Sequence, residues 1–162
     1  MVTRCGDLDP SIVTFLMKKE NLTADEVESI LNKKSGVQGI SGLVPDFREI
    51  EAASYGENER AKIAIQCFTY NIASYIAKYA VAMRGIDAIV FTGGVGENQI
   101  SIRRDVCKQL EFMGVKIDED ANNMRGEEKR VSLADSKVDV WVVPTNEELM
   151  IAKETQSLIG RK

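Results

Sequence analysis

The run Asp87-Ala88-Ile89-Val90-Phe91-Thr92-Gly93-Gly94-Val95-Gly96-Glu97-Asn98 constrains this chain more than any other stretch. Strand-forming and small apolar residues lead into three glycines within four positions, and a helical pattern follows. Glycine lets a backbone approach a ligand with no side chain in the way. Strand, glycine turn and helix, in that order, also present free backbone N–H groups to an anion. The stretch Gly94-Val95-Gly96-Glu97-Asn98-Gln99 lacks the third glycine of the dinucleotide fingerprint, so a dinucleotide-binding oxidoreductase is a weak reading. No Gly-Lys-Ser/Thr follows, so the run is not a phosphate-cradling P-loop. From the residues alone, a nucleotide site and a tight strand-to-helix turn stand level.

The rest of the chain narrows the class. With 162 residues and 44% hydrophobic content it is expected to be a single domain, 1–162, with a substantial core. A net charge of −4 gives no support to a nucleic-acid or membrane surface, and no apolar run approaches the length of a membrane span. The opening residues do not form a secretory signal. Cys5, Cys67 and Cys107 are odd in number and far apart, which suggests reduced thiols in a cytoplasmic protein. Cys67 and Cys107 fall in helical patterns and read as small core residues. The chain contains no histidine. Its chemistry would therefore run on carboxylates, Arg, Lys, hydroxyls, thiols or backbone, and any metal would be a hard one.

Helical signals dominate. Asp9-Pro10 reads as N-cap and first helical position of a helix to about Glu20. Thr23-Ala24-Asp25-Glu26 is a capping box opening a helix to about Lys33. Residues 35–42 read as a glycine-punctuated loop, and Asp46 opens a short helix to about Tyr55. A long helix should run from Asn58 to near Arg84, roughly 40 Å at the usual rise. Its apolar residues occupy several faces, which implies burial on several sides, in part by another subunit. A strand over 86–91 precedes the glycine turn, and a helix then carries Ile102, Val106, Leu110 and Met113 on one face to Gly114. Residues 115–117 suggest a short strand, residues 118–129 a polar loop, and residues 138–143 a partly buried strand ended by Pro144. Thr145-Asn146-Glu147-Glu148 has capping-box spacing before a last helix. Strands alternating with helices favour an α/β layer fold. Only two strands are convincing, which is few for a sheet of about five.

Four groups of candidate residues have structural readings beside functional ones. Asp46 and Glu49 suit a helix cap, with Arg48 as a surface cation. Glu148 stands three positions after Thr145 and would complete the capping box, which leaves Glu147 as the freer carboxylate for a metal or its water shell. Arg4 alone reads as solvated. Glu127-Glu128-Lys129-Arg130 reads as a solvated turn.

Together these pieces closely resemble the carboxyl-terminal part of the acetate kinase family. The resemblance rests on Thr3-Arg4-Cys5-Gly6-Asp7-Leu8-Asp9-Pro10, Leu31-Asn32-Lys33-Lys34-Ser35-Gly36, Asp46-Phe47-Arg48, Phe91-Thr92-Gly93-Gly94-Val95-Gly96-Glu97-Asn98 and Pro144-Thr145-Asn146-Glu147-Glu148-Leu149, in that order. It covers nearly the whole chain and is specific as a set. It implies a helix-rich, partial ribonuclease-H-like/actin-like ATPase domain, the carboxyl-terminal half of a two-domain kinase. The implied reaction moves the terminal phosphoryl of ATP reversibly to acetate, giving acetyl phosphate and ADP, with Mg2+ or Mn2+. By resemblance Arg4 matches the arginine proposed to stabilise the phosphoryl group in transfer, and a forked permanent cation suits charge spread over phosphoryl oxygens. Asp46, Phe47 and Arg48 match a nucleotide-contacting segment whose middle residue is often Met. Gly94, Val95, Gly96, Glu97 and Asn98 match the segment against which adenosine packs. Glu147 matches the carboxylate associated with magnesium.

A complete family member also has an amino-terminal domain. That domain carries an Asn/Ser phosphate segment, a substrate-pocket arginine, an aspartate proposed for catalysis and a histidine near the phosphoryl group. A phosphate-contacting glycine loop lies upstream of the arginine that Arg4 matches. None of these is found here, which would account for the shortage of strands. The chain is therefore expected to be a fragment or shortened product that holds part of an ATP site and is inactive or nearly so alone. Acetate and propionate are not separated as substrate. Family members are typically homodimers through this half, so a homodimer is implied. The rival reading is a non-catalytic dimerisation or nucleotide-binding module.

Overall fold

The computed structural model describes residues 1–160. The chain forms two compact units, Met1–Ile72 and Ala73–Lys162, whose boundary falls inside the longest helix.

The first unit is helical. Helices α1 (Pro10–Glu20) and α2 (Ala24–Lys33) start where their caps dictate: the Asp9 carboxylate accepts from the Ser11 amide at 2.8 Å, and Thr23 and Glu26 form a reciprocal box. The expected loop over 35–42 is instead a short helix, α3 (Gly36–Ser41), because Gly36 adopts φ +61° and lets the amino-terminal segment fold onto it. A Cβ at Gly36 would lie 2.6 Å from the Met1 carbonyl and 2.7 Å from that of Arg4. In the space so saved, the amides of Ser35, Val37 and Gln38 donate to the carbonyls of Thr3, Met1 and Val2, and Cys5 N–H donates to Leu31. Helix α4 (Phe47–Ser54) follows the Asp46 cap and buries Phe47 and Ile50; Val27, Val37, Ala61, Ala64 and Ile65 are buried in the same unit. The Phe47 and Phe68 rings meet at 4.9 Å. Helix α5 (Glu59–Met83) begins after Asn58, whose side chain accepts from Ala61 N–H. Its buried positions are mostly small, whereas Tyr70, Tyr79, Val81 and Met83 are exposed.

The second unit holds a three-stranded sheet in the order β1-β3-β2, built from β1 (Ala88–Phe91), β2 (Lys129–Arg130) and β3 (Asp139–Val142). The β2 strand lies in the stretch read as a solvated turn: its hydrogen bonds to β3 and the ion pair of Arg130 with Asp139 at 2.7 Å give it partners. Strands β1 and β3 are parallel, and β2 is antiparallel to β3. Parallel neighbours require a crossover. Here it contains α6 (Gly93–Asn98), α7 (Ile100–Gln109), a 3-10 turn (Glu111–Met113) and α8 (Glu119–Asn122), the last inside the stretch read as a polar loop. The expected strand over 115–117 is reduced to isolated bridges at Val115 and Ile117. Alternation buries Ile89, Phe91, Val140 and Val142 on one face of the sheet; Ile102 and Val106 of α7 and its C-cap Leu110 are also buried. The last helix, α9 (Glu147–Ile159), follows β3. Among the described residues no helix is long and apolar enough to cross a membrane.

Candidate functional site

Strand register creates the site. Phe91 pairs with Val142, so the chain leaves both parallel strands at the same end and level with one another. Ligands in α/β sheets bind beyond the carboxyl ends of such strands. Thr92, next after β1, and Thr145, three residues past β3, meet with hydroxyl oxygens 2.9 Å apart.

The glycine run is not a bare turn. Gly93 at φ +70° turns the backbone out of β1, and residues 93–98 then wind into α6. Gln99, extended at φ −100° and ψ 91°, separates α6 from α7, so the single expected helix is two. Gly96 packs on the strand: a Cβ there would lie 3.2 Å from the Phe91 carbonyl carbon. Gly94 is different, since its φ is ordinary and a Cβ would meet nothing within 4 Å. Neither backbone conformation nor internal packing calls for glycine at that position. The space beside it opens into a cavity of about 430 Å³ lined by Gly93, Gly94, Glu97, Thr145, Asn146, Glu147 and Glu148.

One carboxylate ties the walls of this cavity together. Glu97 Oε1 accepts from Gly93 N–H at 2.8 Å, Thr145 N–H at 2.8 Å and the Thr145 hydroxyl at 3.0 Å. Thr145 spends its one hydroxyl proton on Glu97, so the Thr92 hydroxyl donates to Thr145. Gly93 N–H also reaches Thr145 Oγ1 at 3.1 Å. The Thr145 amide, followed by the Thr145 hydroxyl and the Gly93 amide, holds the Glu97 carboxyl below the ordinary glutamate range.

This bonding corrects the reading of the last helix. Thr145 is not its cap; Asn146 is, accepting from Leu149 N–H at 3.0 Å. Thr145 faces Glu97 instead, so Glu148 has no capping-box partner there, and Glu147 and Glu148 are both exposed carboxylates in the first turn. The capping argument that singled out Glu147 therefore fails, although Glu147 does line the cavity. Asn98 Nδ2 donates to the Gly94 carbonyl at 2.9 Å, and Val95 is half-buried.

Arg103 was invisible as a site residue by sequence reasoning. It is fully buried and occupies the same helical stripe as Val106, Cys107 and Leu110. A lone cation at the i, i+3, i+4, i+7 spacing of an apolar face was the available signal. Its Nη1 donates to the carbonyls of Gly96 at 2.9 Å and Glu97 at 3.0 Å. Burial lowers its pKa, and burial pushes the neighbouring Cys107 thiol up to about 12.

The first unit carries the other predicted residues. Arg4 is exposed on the amino-terminal segment anchored by α3. The Arg48 guanidinium grips Asp46 in a forked pair, Nε to Oδ1 at 3.2 Å and Nη2 to Oδ2 at 2.9 Å, and so holds the Asp46 carboxyl below its ordinary range. Phe47, between them in sequence, is buried at 8% exposure against Phe68. The structure thus gathers Gly94, Glu97 and Glu147 around one cavity and pairs Asp46 with Arg48.

The model of the acetokinase family matches residues 1–153. This chain belongs to the acetokinase family. An acetate kinase from Carboxydothermus hydrogenoformans is 56% identical over 162 residues, all of this chain and 40% of that protein. The crystal structure of Porphyromonas gingivalis acetate kinase superposes with a TM-score of 0.91 at 51% identity, covering 98% of this chain and 40% of that one. A propionate kinase from Francisella tularensis subsp. tularensis SCHU S4 superposes at 0.88 with 37% identity, over 95% of this chain and 39% of that one. The acetokinase chain described here therefore spans about 40% of the length of the curated relatives it matches. Its fold is a helix-rich partial domain of the actin-like ATPase type.

Proposed function

We propose that this chain supplies the nucleoside side of the ATP site, and one catalytic arginine, to an enzyme that transfers a phosphoryl group between ATP and acetate. The observation that carries the reading is Gly94: a glycine with no internal reason to be glycine, opening into a cavity in a chain matched to acetokinases. The charges say which part of ATP fits. Glu97, Glu147 and Glu148 line the cavity and no lining residue is cationic. Such a wall repels bare phosphate and suits an uncharged nucleoside, packed on the backbone of Gly94, Val95 and Gly96, or a phosphate accompanied by a cation.

The residues present fit magnesium in one specific sense. Among the described residues no three acidic, thiol or imidazole groups converge on one point, so a protein-only cage is absent. Mg2+ ordinarily keeps several waters and takes only one or two carboxylates beside phosphate oxygens. Glu147, with Glu148 beside it, would hold that hydrated ion, which when bound neutralises phosphate charge. Arg4 would offer its fork to the phosphoryl oxygens. Asp46 and Arg48 would contact the nucleotide as a pair, with Phe47 seating them through its grip on Phe68. Asn98 would brace the Gly94 carbonyl from inside α6.

The enzyme works in the cytoplasm as a homodimer on this reading, and 1–162 serves as one nucleotide-binding and dimerisation domain. The exposed Tyr70, Tyr79, Val81 and Met83 of α5 support the dimer. The likeness to a propionate kinase favours a second substrate, propionate, on the same machinery. Hydroxylamine trapping of acetyl phosphate tests the catalytic division. The 162 residues alone should give no product above background, and robust turnover by the isolated chain would refute it. Absence of ADP binding would favour the non-catalytic dimerisation module instead.

A further inference from the structure

Arg103 carries five hydrogen bonds to oxygen at full burial, and all five acceptors are uncharged. Beside the Gly96 and Glu97 carbonyls it donates through Nη2 to the carbonyls of Asn122 and Met124, both at 2.8 Å, and through Nε to Asn122 Oδ1 at 2.7 Å. The Asn122 side chain, also fully buried, donates through Nδ2 to the Ile100 carbonyl at 3.0 Å. A buried cation without a counter-ion is costly, and only a dense set of acceptors offsets it. Here the acceptors are the last carbonyls of α6 and those closing α8, the negative ends of two helices. Arg103 sits in the first turn of α7, and helical side chains lean toward the helix N-terminus, so its guanidinium reaches back onto α6.

We propose that Arg103 is a positioning residue for the nucleotide cavity: it clamps the carboxyl end of α6 to the α8 segment, and thereby fixes Glu97 where its carboxylate can join Gly93 to Thr145. The inference rests on reading the cavity as a nucleotide site. The chain of contacts is continuous. The guanidinium holds the Glu97 backbone, the Glu97 side chain holds both walls, and Gly94 lies between them. Lysine keeps the charge but cannot reproduce a planar fork on carbonyls from two elements.

The test uses Arg103→Lys in the full chain, with carbon-detected NMR titration of Glu97 and calorimetry with ADP and magnesium. The variant's Glu97 midpoint should move up toward the ordinary glutamate value. ADP affinity should also fall about tenfold, the equivalent of one or two lost backbone hydrogen bonds. A variant that melts lower yet keeps both the Glu97 midpoint and the ADP affinity overturns the proposal, because Arg103 would then only hold the fold. If the unsubstituted chain binds no ADP, the nucleotide reading fails, while the Glu97 titration still decides whether Arg103 positions that carboxylate. Should Arg103→Lys not fold, Asn122→Ala removes the Nε acceptor, with the Asn122 donation to Ile100, and leaves the guanidinium its four backbone carbonyls. It must shift Glu97 in the same direction, and an unmoved midpoint in that variant overturns the proposal.

Discussion

Thr145 shows how one residue divides between two readings. In sequence its place before Asn146-Glu147-Glu148 is that of a helix cap. In the structure the adjacent Asn146 takes that role, and Thr145 gives both its donors to Glu97. Helix caps are local and visible; a contact 48 residues away is set by strand register and is not. The sign of its pH dependence follows from the depressed carboxyl. Glu97 contributes stability fully above the unfolded glutamate pKa, about 4.3, and loses it as pH falls through its lower folded value. Glu97 should therefore titrate below the ordinary range in the native chain, and Thr145→Val should bring its midpoint upward in the same NMR titration. Gly94 and Gly36 separate the two uses of glycine. Gly36→Ala meets two carbonyls inside 2.8 Å at positive φ and should cost about 2 kcal/mol or more of stability by urea unfolding. Gly94→Leu should leave the melting temperature unchanged or higher, because the space is open and leucine favours helix, yet abolish ADP binding by calorimetry.

Helices were the legible elements. The caps of α1, α2 and α4 stand where Asp9, Thr23 and Asp46 place them, and α5 starts after Asn58. Short elements were not legible: α3 depends on Gly36 accepting the amino-terminal segment, and α6 depends on Gly96 seating against Phe91. The first is a long-range packing event and the second a close backbone approach within one strand-to-helix connection, in stretches whose glycines read as loop or turn. Gly94, Glu97 and Glu147, which line one cavity, are among the residues the family resemblance singles out, but how they are held together was not legible, because Arg103 hides in an apolar stripe and Glu97 meets Thr145 across 48 residues. The buried and exposed sides of α4 carry separate predictions. Ile50→Ala empties a fully buried position and should lower unfolding free energy by about 2–5 kcal/mol. Arg48→Ala, on the exposed side, should leave the urea midpoint in place and weaken ADP binding.

At the scale of the molecule, the shortage of strands is resolved only in part. The described residues supply β1, β2 and β3, and β1 hydrogen-bonds to β3 alone, so one of its edges is open. An open parallel edge is a place where a further strand can pair. Relatives more than twice as long as this chain fit that geometry, since 40% of their length accounts for all of it. The exposed apolar residues of α5, Tyr70, Tyr79, Val81 and Met83, belong to the same scale, as an apolar surface that a further element can cover. If residues 93–97 and 145–148 wall the nucleoside side of an ATP site, amide-resolved NMR titration of the chain with ADP and magnesium will show it. Saturable shifts are expected at the amides of Gly93, Gly94, Glu97 and Thr145, all abolished in Gly94→Leu. Saturable shifts confined to other residues, or a spectrum that ADP leaves unchanged, would contradict that assignment.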